Sequence, residues 1–230
     1  MEFPVEVTII LLILVIFSII SYKKKLLNFE GILISNIVGL AIFILGNWNL
    51  SYFFVAVLFF IVAEAGTLYS KKKKERHEAR TTGNILGNSG TAILVLILGG
   101  PLSGFLFFAA FASALADTLS SEIGLLSKKK PVLITTFEEV KPGTDGGITM
   151  LGLVAAVFGS AAIASVHFFL FQDFLLFLII VASGFFGSLV DSFFGAVFER
   201  QKRMNNAEVN FLGSLGGTGL AWLLRVSLPF

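Results

Sequence analysis

Residues 109–147 read AAFASALADTLSSEIGLLSKKKPVLITTFEEVKPGTDGG, and the change of character along them decides the class of fold. The stretch begins inside an apolar run that carries Asp117 and Glu122. It leaves that run through Lys128, Lys129 and Lys130 and ends in a Gly-rich turn around Asp145. An apolar run of about 20 residues reads as a transmembrane helix. Lysines immediately after it mark a cytoplasmic end. Carboxylates inside such a run are costly and point to function.

The rest of the chain repeats the pattern. Of its 230 residues, 56% are hydrophobic and the mean hydropathy is +0.90, against ~45–50% apolar in soluble proteins. Apolar segments cover roughly 5–22, 31–46, 51–69, 83–99, 103–126, 147–170, 174–198 and 210–227. The expectation is an all-α, polytopic membrane protein of about eight transmembrane helices, forming a single integral-membrane domain over residues 1–230. No cysteine is present, which excludes disulfides, thiolate metal sites and cysteine nucleophiles. Glu2 and Glu6 flank the start of the first run and no small-residue cleavage site follows, so the first helix reads as retained. The bilayer is the expected surrounding, and no nucleic-acid partner is expected. A homo-oligomer is compatible with the sequence.

Every Lys and Arg except Arg225 falls in the connections after the first, third, fifth and seventh segments. By the positive-inside rule these connections are cytoplasmic and both termini lie outside. The opposite connections (GNWN, GGPLS and the FQD region) hold no basic residue. They are short, which makes the helices they join antiparallel neighbours. The longest cytoplasmic loop follows the fifth helix, over 127–146, and its PVLITT has the β-branched character of a short extended piece. The active face is expected to be cytoplasmic.

Polar groups converge at that face. Asp117 lies about 14 Å, and Asp191 about 12 Å, from the inner ends of their helices at ~1.5 Å per residue. Asn84 and Asn88 enter from the fourth span and Asn206 and Asn210 from the eighth; each pair is spaced i, i+4 and shares a face. Glu64 reaches a similar level in the third. Ser113, Asp117, Ser121 and Gly124 form one narrow polar stripe, and Gly184, Gly187, Ser188, Asp191 and Gly195 another, as for helices lining a crevice. Glu122 is rotated by about 140° from Asp117, so a local unwinding is needed to join the two. Paired carboxylates in low dielectric call for a proton or cation, and Mg²⁺ suits one or two carboxylates plus substrate phosphates.

In KPGTDGG, Gly143, Gly146 and Gly147 surround Thr144 and Asp145 and follow Lys141. Glycines let consecutive N–H groups point at an anion ahead of a helix N-terminus. The nucleotide P-loop pattern is absent. Each feature has a plainer reading as well. The two Asp residues could lock the bundle as ion-pair members, and the Asn pairs could bond helices together. The Gly stripes could be packing, the Lys runs topology signals, and KPGTDGG an ordinary turn. His77 and His167 lie far apart and read as non-functional.

Taken together, RTTGNILGNSG, ADTLSSEIG, LITT with PGTDGG, GSLVDSFFGA and NNAEVNF, in that order from about Arg80 to Phe211, resemble the integral-membrane prenyl-phosphate kinases, the family of the chloroplast phytyl-phosphate kinase. The resemblance implies a variable N-terminal part over 1–70 and catalytic helices and loops over 80–230. It implies phosphate transfer from CTP or another nucleoside triphosphate to a long-chain prenyl monophosphate, such as phytyl or geranylgeranyl phosphate. Leu119 departs from an expected aromatic, and a Cys-rich insert of many bacterial relatives is missing after GSLVDSFFGA.

Residues and resemblance meet on one arrangement. Phosphoryl transfer needs positioning, Mg²⁺ and positive charge rather than covalent help. Asp117 and Asp191, with Glu122 or Asp145, would be catalytic and hold the metal. Lys141, Gly143, Thr144, Asp145, Gly146 and Gly147 would cradle nucleotide phosphates. Asn84, Asn88, Ser121, Asn206 and Asn210 would orient phosphate, ribose or water. The prenyl tail would lie between Phe- and Leu-rich helices. The alternative is a cation- or proton-coupled transporter using the intramembrane acids, against which the outer half offers no polar path.

Overall fold

The computed structural model describes residues 5–74 and 82–228. Glu2, Arg76, His77 and Arg80 lie outside the described residues. The described chain forms eight α-helices: α1 (Val5–Lys23), α2 (Phe29–Leu45), α3 (Leu50–Lys74), α4 (Thr82–Leu98), α5 (Ser103–Gly124), α6 (Met150–Phe171), α7 (Phe174–Phe194) and α8 (Asn206–Ser227). Five helical spans are long and apolar enough to cross a membrane: α1, α3 over Leu50–Ser70, α5, α6, and α7 continued to Glu199. α2 and α4 are apolar but have only 17 residues each. α8 carries the polar and glycine-rich stripe of GSLGGTG instead.

Local signals explain the helix starts. Asn28 caps α2 by accepting the Gly31 amide at 2.8 Å, and Asp173 caps α7 by accepting that of Leu176 at 2.9 Å. α8 begins at Asn206, four residues before its apolar run. There the Asn205 side chain accepts the Glu208 amide at 3.0 Å while Glu208 Oε2 accepts the Asn205 amide at 2.8 Å. This reciprocal box satisfies two amides that would otherwise be orphaned. α6 starts at Met150 rather than 147, because Gly147–Ile148 is drawn into a strand. That strand, β2, pairs antiparallel with β1 (Val132–Leu133). PVLITT is therefore partly extended, as its β-branching suggested.

α5 is the axis of the bundle, packed by α3, α4, α6, α7 and α8. From Phe107 to Ala116 its side chains are buried without a break. Aromatic edges hold it to α3: Tyr52 meets Phe107 at 4.9 Å and Phe59 meets Phe111 at 5.3 Å between centroids. Small residues let the other helices approach closely. A Cβ on Gly184 would fall 2.6 Å from the Ser160 Cβ, and one on Gly217 2.6 Å from the Ser183 carbonyl oxygen. Ser113 sits between Gly187 and Gly217. The outer parts of both polar stripes are thus packing surfaces. Only their basic ends remain free to line a cavity.

Candidate functional site

At the basic end, a cavity of about 250 Å³ lies between α5, α7, α8 and the loop joining α5 to α6. Ser120, Ser121 and Gly124 of α5 form one wall, and Asp191 and Ser192 of α7 another. Asn206, at the start of α8, closes a third side, and Gly143 through Gly147 form the loop-side wall. The carboxyl groups of Asp117 and Asp191 meet, although they come from different helices. Gly213 permits this closeness on the α8 side, since a Cβ there would lie 2.7 Å from the Asp191 Cβ.

Asp191 is held from α8 and α4. With its amide nitrogen turned toward α7, Asn210 donates to Asp191 Oδ2 at 3.2 Å and to the Asn206 carbonyl at 3.0 Å. Hydrogen-bond bookkeeping selects that orientation. The Asn210 oxygen then lies 3.1 Å from the Asn88 amide group, which donates to it with its own nitrogen turned toward α8. Asn88 and Asn210 are buried and form an interhelical link rather than a cavity wall. Gly87 permits it, because a Cβ there would fall 2.7 Å from the Ala207 carbonyl oxygen. Asn84 is half-buried and does not line the cavity.

The loop is built by short bonds. The Lys141 carbonyl accepts both the Thr144 hydroxyl at 2.8 Å and the Thr144 amide at 3.1 Å, and Gly147 N–H donates to the Thr144 carbonyl at 2.9 Å. Gly146 has φ +75° and presses against Ala196 of the chain after α7, where a Cβ would collide with backbone. Only glycine fits both demands. The Lys141 side chain is exposed and stands off the cavity wall, where Lys129 takes a place instead.

Two acids change roles relative to the sequence. Glu122 does not line the cavity. α5 stays helical to Gly124, so the unwinding that would bring Glu122 to Asp117 does not occur. Glu199, which the sequence did not single out, stands on the cavity wall with its carboxyl near the Asn206 side chain and within electrostatic reach of Asp145 and Asp117. Its placement comes from a π-helical turn, Gly195–Glu199, in which Arg200 N–H bonds the Gly195 carbonyl at 3.1 Å. Eight α-helical steps would leave Glu199 about 80° round from Asp191. The wider turn rotates each residue less and swings it back over the cavity.

No group of three His, Asp or Glu side chains among the described residues closes into a metal site. Glu122 and Asp145 therefore do not join the Asp pair in one shell. The donors at the pair are hard oxygens, which fits an ion that takes only one or two carboxylates and completes its shell with phosphate and water.

The model of the family described as "Integral membrane protein DUF92" matches residues 12–218. An uncharacterized membrane protein of Methanocaldococcus jannaschii is 35% identical over 238 aligned positions, covering 99% of this chain and 98% of its own length. Protein PGR of Arabidopsis thaliana is 28% identical, covering 78% of this chain and 74% of its own. Protein VTE6, chloroplastic, of the same plant is 29% identical, covering 75% and 58%. No solved structure matches.

Proposed function

The chain belongs to the DUF92 family of integral membrane proteins, and from that premise we propose that it transfers the terminal phosphate of a nucleoside triphosphate, CTP first among candidates, to a long-chain prenyl monophosphate. The observation that carries this reading is that Asp191 shares one cavity at the basic end with the Gly143–Gly147 loop while its carboxyl meets that of Asp117 behind the wall. The sequence blocks that resemble prenyl-phosphate kinases supply most of these walls.

Each part has a task. The loop N–H groups that are not taken up by bonds inside the turn, with Lys129 nearby, receive the triphosphate, and Thr144 braces the turn through its bonds to the Lys141 carbonyl. Asp117 and Asp191 would hold Mg²⁺, which offsets the charge on the phosphate oxygens. Asn88 and Asn210 keep Asp191 oriented, and Asn206 and Glu199 close the side toward α8. An oxygen of the acceptor phosphate attacks the γ-phosphorus. The bond from that phosphorus to the β-bridging oxygen breaks, and its electron pair leaves with the nucleoside diphosphate. The acceptor is already anionic near neutral pH, so the step needs no strong base. Basic loops on this face make it cytoplasmic by the positive-inside rule. The transporter alternative loses ground at Ser113, where Gly187 and Gly217 close the packing beyond the acids.

The test is turnover by purified protein in nanodiscs with γ-labelled CTP, ATP or GTP, Mg²⁺, and prenyl monophosphates or the matching alcohols. Labelled prenyl diphosphate is expected. Label on the alcohols, or none on any acceptor, overturns the reading. Chelating the divalent ion should stop transfer, and adding Mg²⁺ back should restore it.

A further inference from the structure

A second cavity, of about 410 Å³, opens between α1, α2, α3 and α4. Its walls are aliphatic and aromatic, with Ile16 and Phe17 from α1, Val38 from α2, and Phe59 and Phe60 from α3. The polar side chains on it (Ser21, Ser35, Glu64 and Ser89) all lie in the half of their helix nearer the basic end. Because successive helices alternate in direction, that is the end at which α5, α7 and α8 build the polar cavity. Toward the opposite end Phe53, Leu14 and Gly39 pack together on the groove wall. A Cβ on Gly39 would lie 3.2 Å from the Phe53 ring and 3.3 Å from Leu14.

We infer that this groove is the seat of the acceptor's isoprenoid tail, with the phosphate carried over the first turn of α4 to the acids. The inference rests on the kinase reading for the identity of the head group. Four observations support it. The polar cavity has no apolar wall long enough for a tail. The groove, at about 410 Å³, has room for one such chain and not for the two of a phospholipid. α4 and α5 separate the two spaces: α4 turns Ile85 and Ser89 to the groove and Asn88 to Asn210, and α5 turns Phe111 to the groove and Ser120 and Ser121 to the polar cavity.

The fourth, the dimensions, sets a chain length. From Leu68 to Phe53 the groove runs 15 residues along α3, or about 22 Å at 1.5 Å per residue. An isoprene unit adds four bonds of ~1.5 Å, so roughly 4–5 Å when extended. Crossing α4, a helix about 10 Å wide, uses some two units. A two-unit chain then barely enters the groove, whereas a four-unit chain places its distal half inside.

Photolabelling tests this without needing turnover. Geranylgeranyl monophosphate with a diazirine on its last isoprene unit is irradiated with the full chain in phosphatidylcholine nanodiscs, and labelled peptides are mapped. Adducts are expected in α1, α2 and α3. An excess of unlabelled geranylgeranyl monophosphate should remove them, and the surrounding acyl chains should not. Ala56→Trp, which fills the groove, should cut labelling at least tenfold. Ala65→Trp, at an exposed position nearer the mouth, should act in the same direction in case the first variant folds poorly. Adducts confined to α5–α8, or adducts in α1–α3 that both variants leave unchanged, overturn the proposal. Missing prenyl diphosphate in a parallel turnover assay would instead count against the kinase reading, whatever the labelling shows.

Discussion

Asp191 shows how much one side chain depends on its neighbours. Its carboxyl meets that of Asp117, takes the Asn210 amide and has α8 close behind it at Gly213. If the pair serves catalysis, Asp117→Asn and Asp191→Asn should each abolish turnover and leave the melting temperature within a few degrees of the parent. If the two were members of a structural ion network, losing one should cost about 3–5 kcal/mol and show plainly in melting. Measuring both quantities on each variant decides between these. Asn210→Leu should lower activity by weakening Asp191's orientation, about tenfold, for a loss of ~1–3 kcal/mol from the buried partners it leaves unpaired. The acids separate further. Glu199→Gln should reduce turnover at least tenfold and Glu122→Gln should leave it near parental; the reverse ranking would restore Glu122 to the site. These roles were unequally legible in the sequence. Depth along a helix could be counted, so Asp117 and Asp191 stood out. The Asn pairs were visible by spacing, but only the close approach at Gly87 reveals that Asn88 and Asn210 face each other and not the substrate cavity.

At the scale of elements, the turn after α7 decides which acid reaches the cavity. Nothing in GAVFE breaks apolar periodicity, so the sequence reads as a helix running straight on to residue 198. The π turn arises where Gly195 and Ala196 must clear Gly146 of the loop, a contact between segments about fifty residues apart that no local pattern encodes. π turns inserted in α-helices are frequent at functional sites. Deleting Val197 should close the turn to α-helical geometry, rotate Glu199 away from Asn206 and lose most of the turnover while the bundle still folds. Full activity in that deletion would show that Glu199 and its turn are dispensable. The start of α8 is legible in principle, because Asn205 and Glu208 have the spacing of a capping box, but the apolar run alone puts it at 210. Helix starts set by local capping could be read from the chain, and those set by long-range contact, such as β2 pairing ahead of α6, could not.

For the whole molecule, α4 and α5 stand between two spaces: an apolar groove among α1–α4 and a polar cavity among α5, α7, α8 and the loop after α5. One end carries nearly all the basic residues, and the short connections Gly46–Asn49, 99–102 and 172–173 lie at the other. A kinase drawing on a nucleoside triphosphate needs its polar cavity on the side where the nucleotide is, so orientation and function stand together. By the positive-inside rule the basic end is expected inside, with the first turn of α4 at the inner surface. The chain has no cysteine, so single introduced cysteines report cleanly. Lys128→Cys, in the loop after α5, should resist a membrane-impermeant maleimide added to sealed, right-side-out cells and react once they are opened. Pro101→Cys, between α4 and α5, should react before opening. Two cysteines joined by one helix but labelled from opposite sides establish that α5 crosses. Labelling of Lys128→Cys in intact cells would invert the molecule, put the cavity out of reach of cytoplasmic nucleotide and end the kinase assignment.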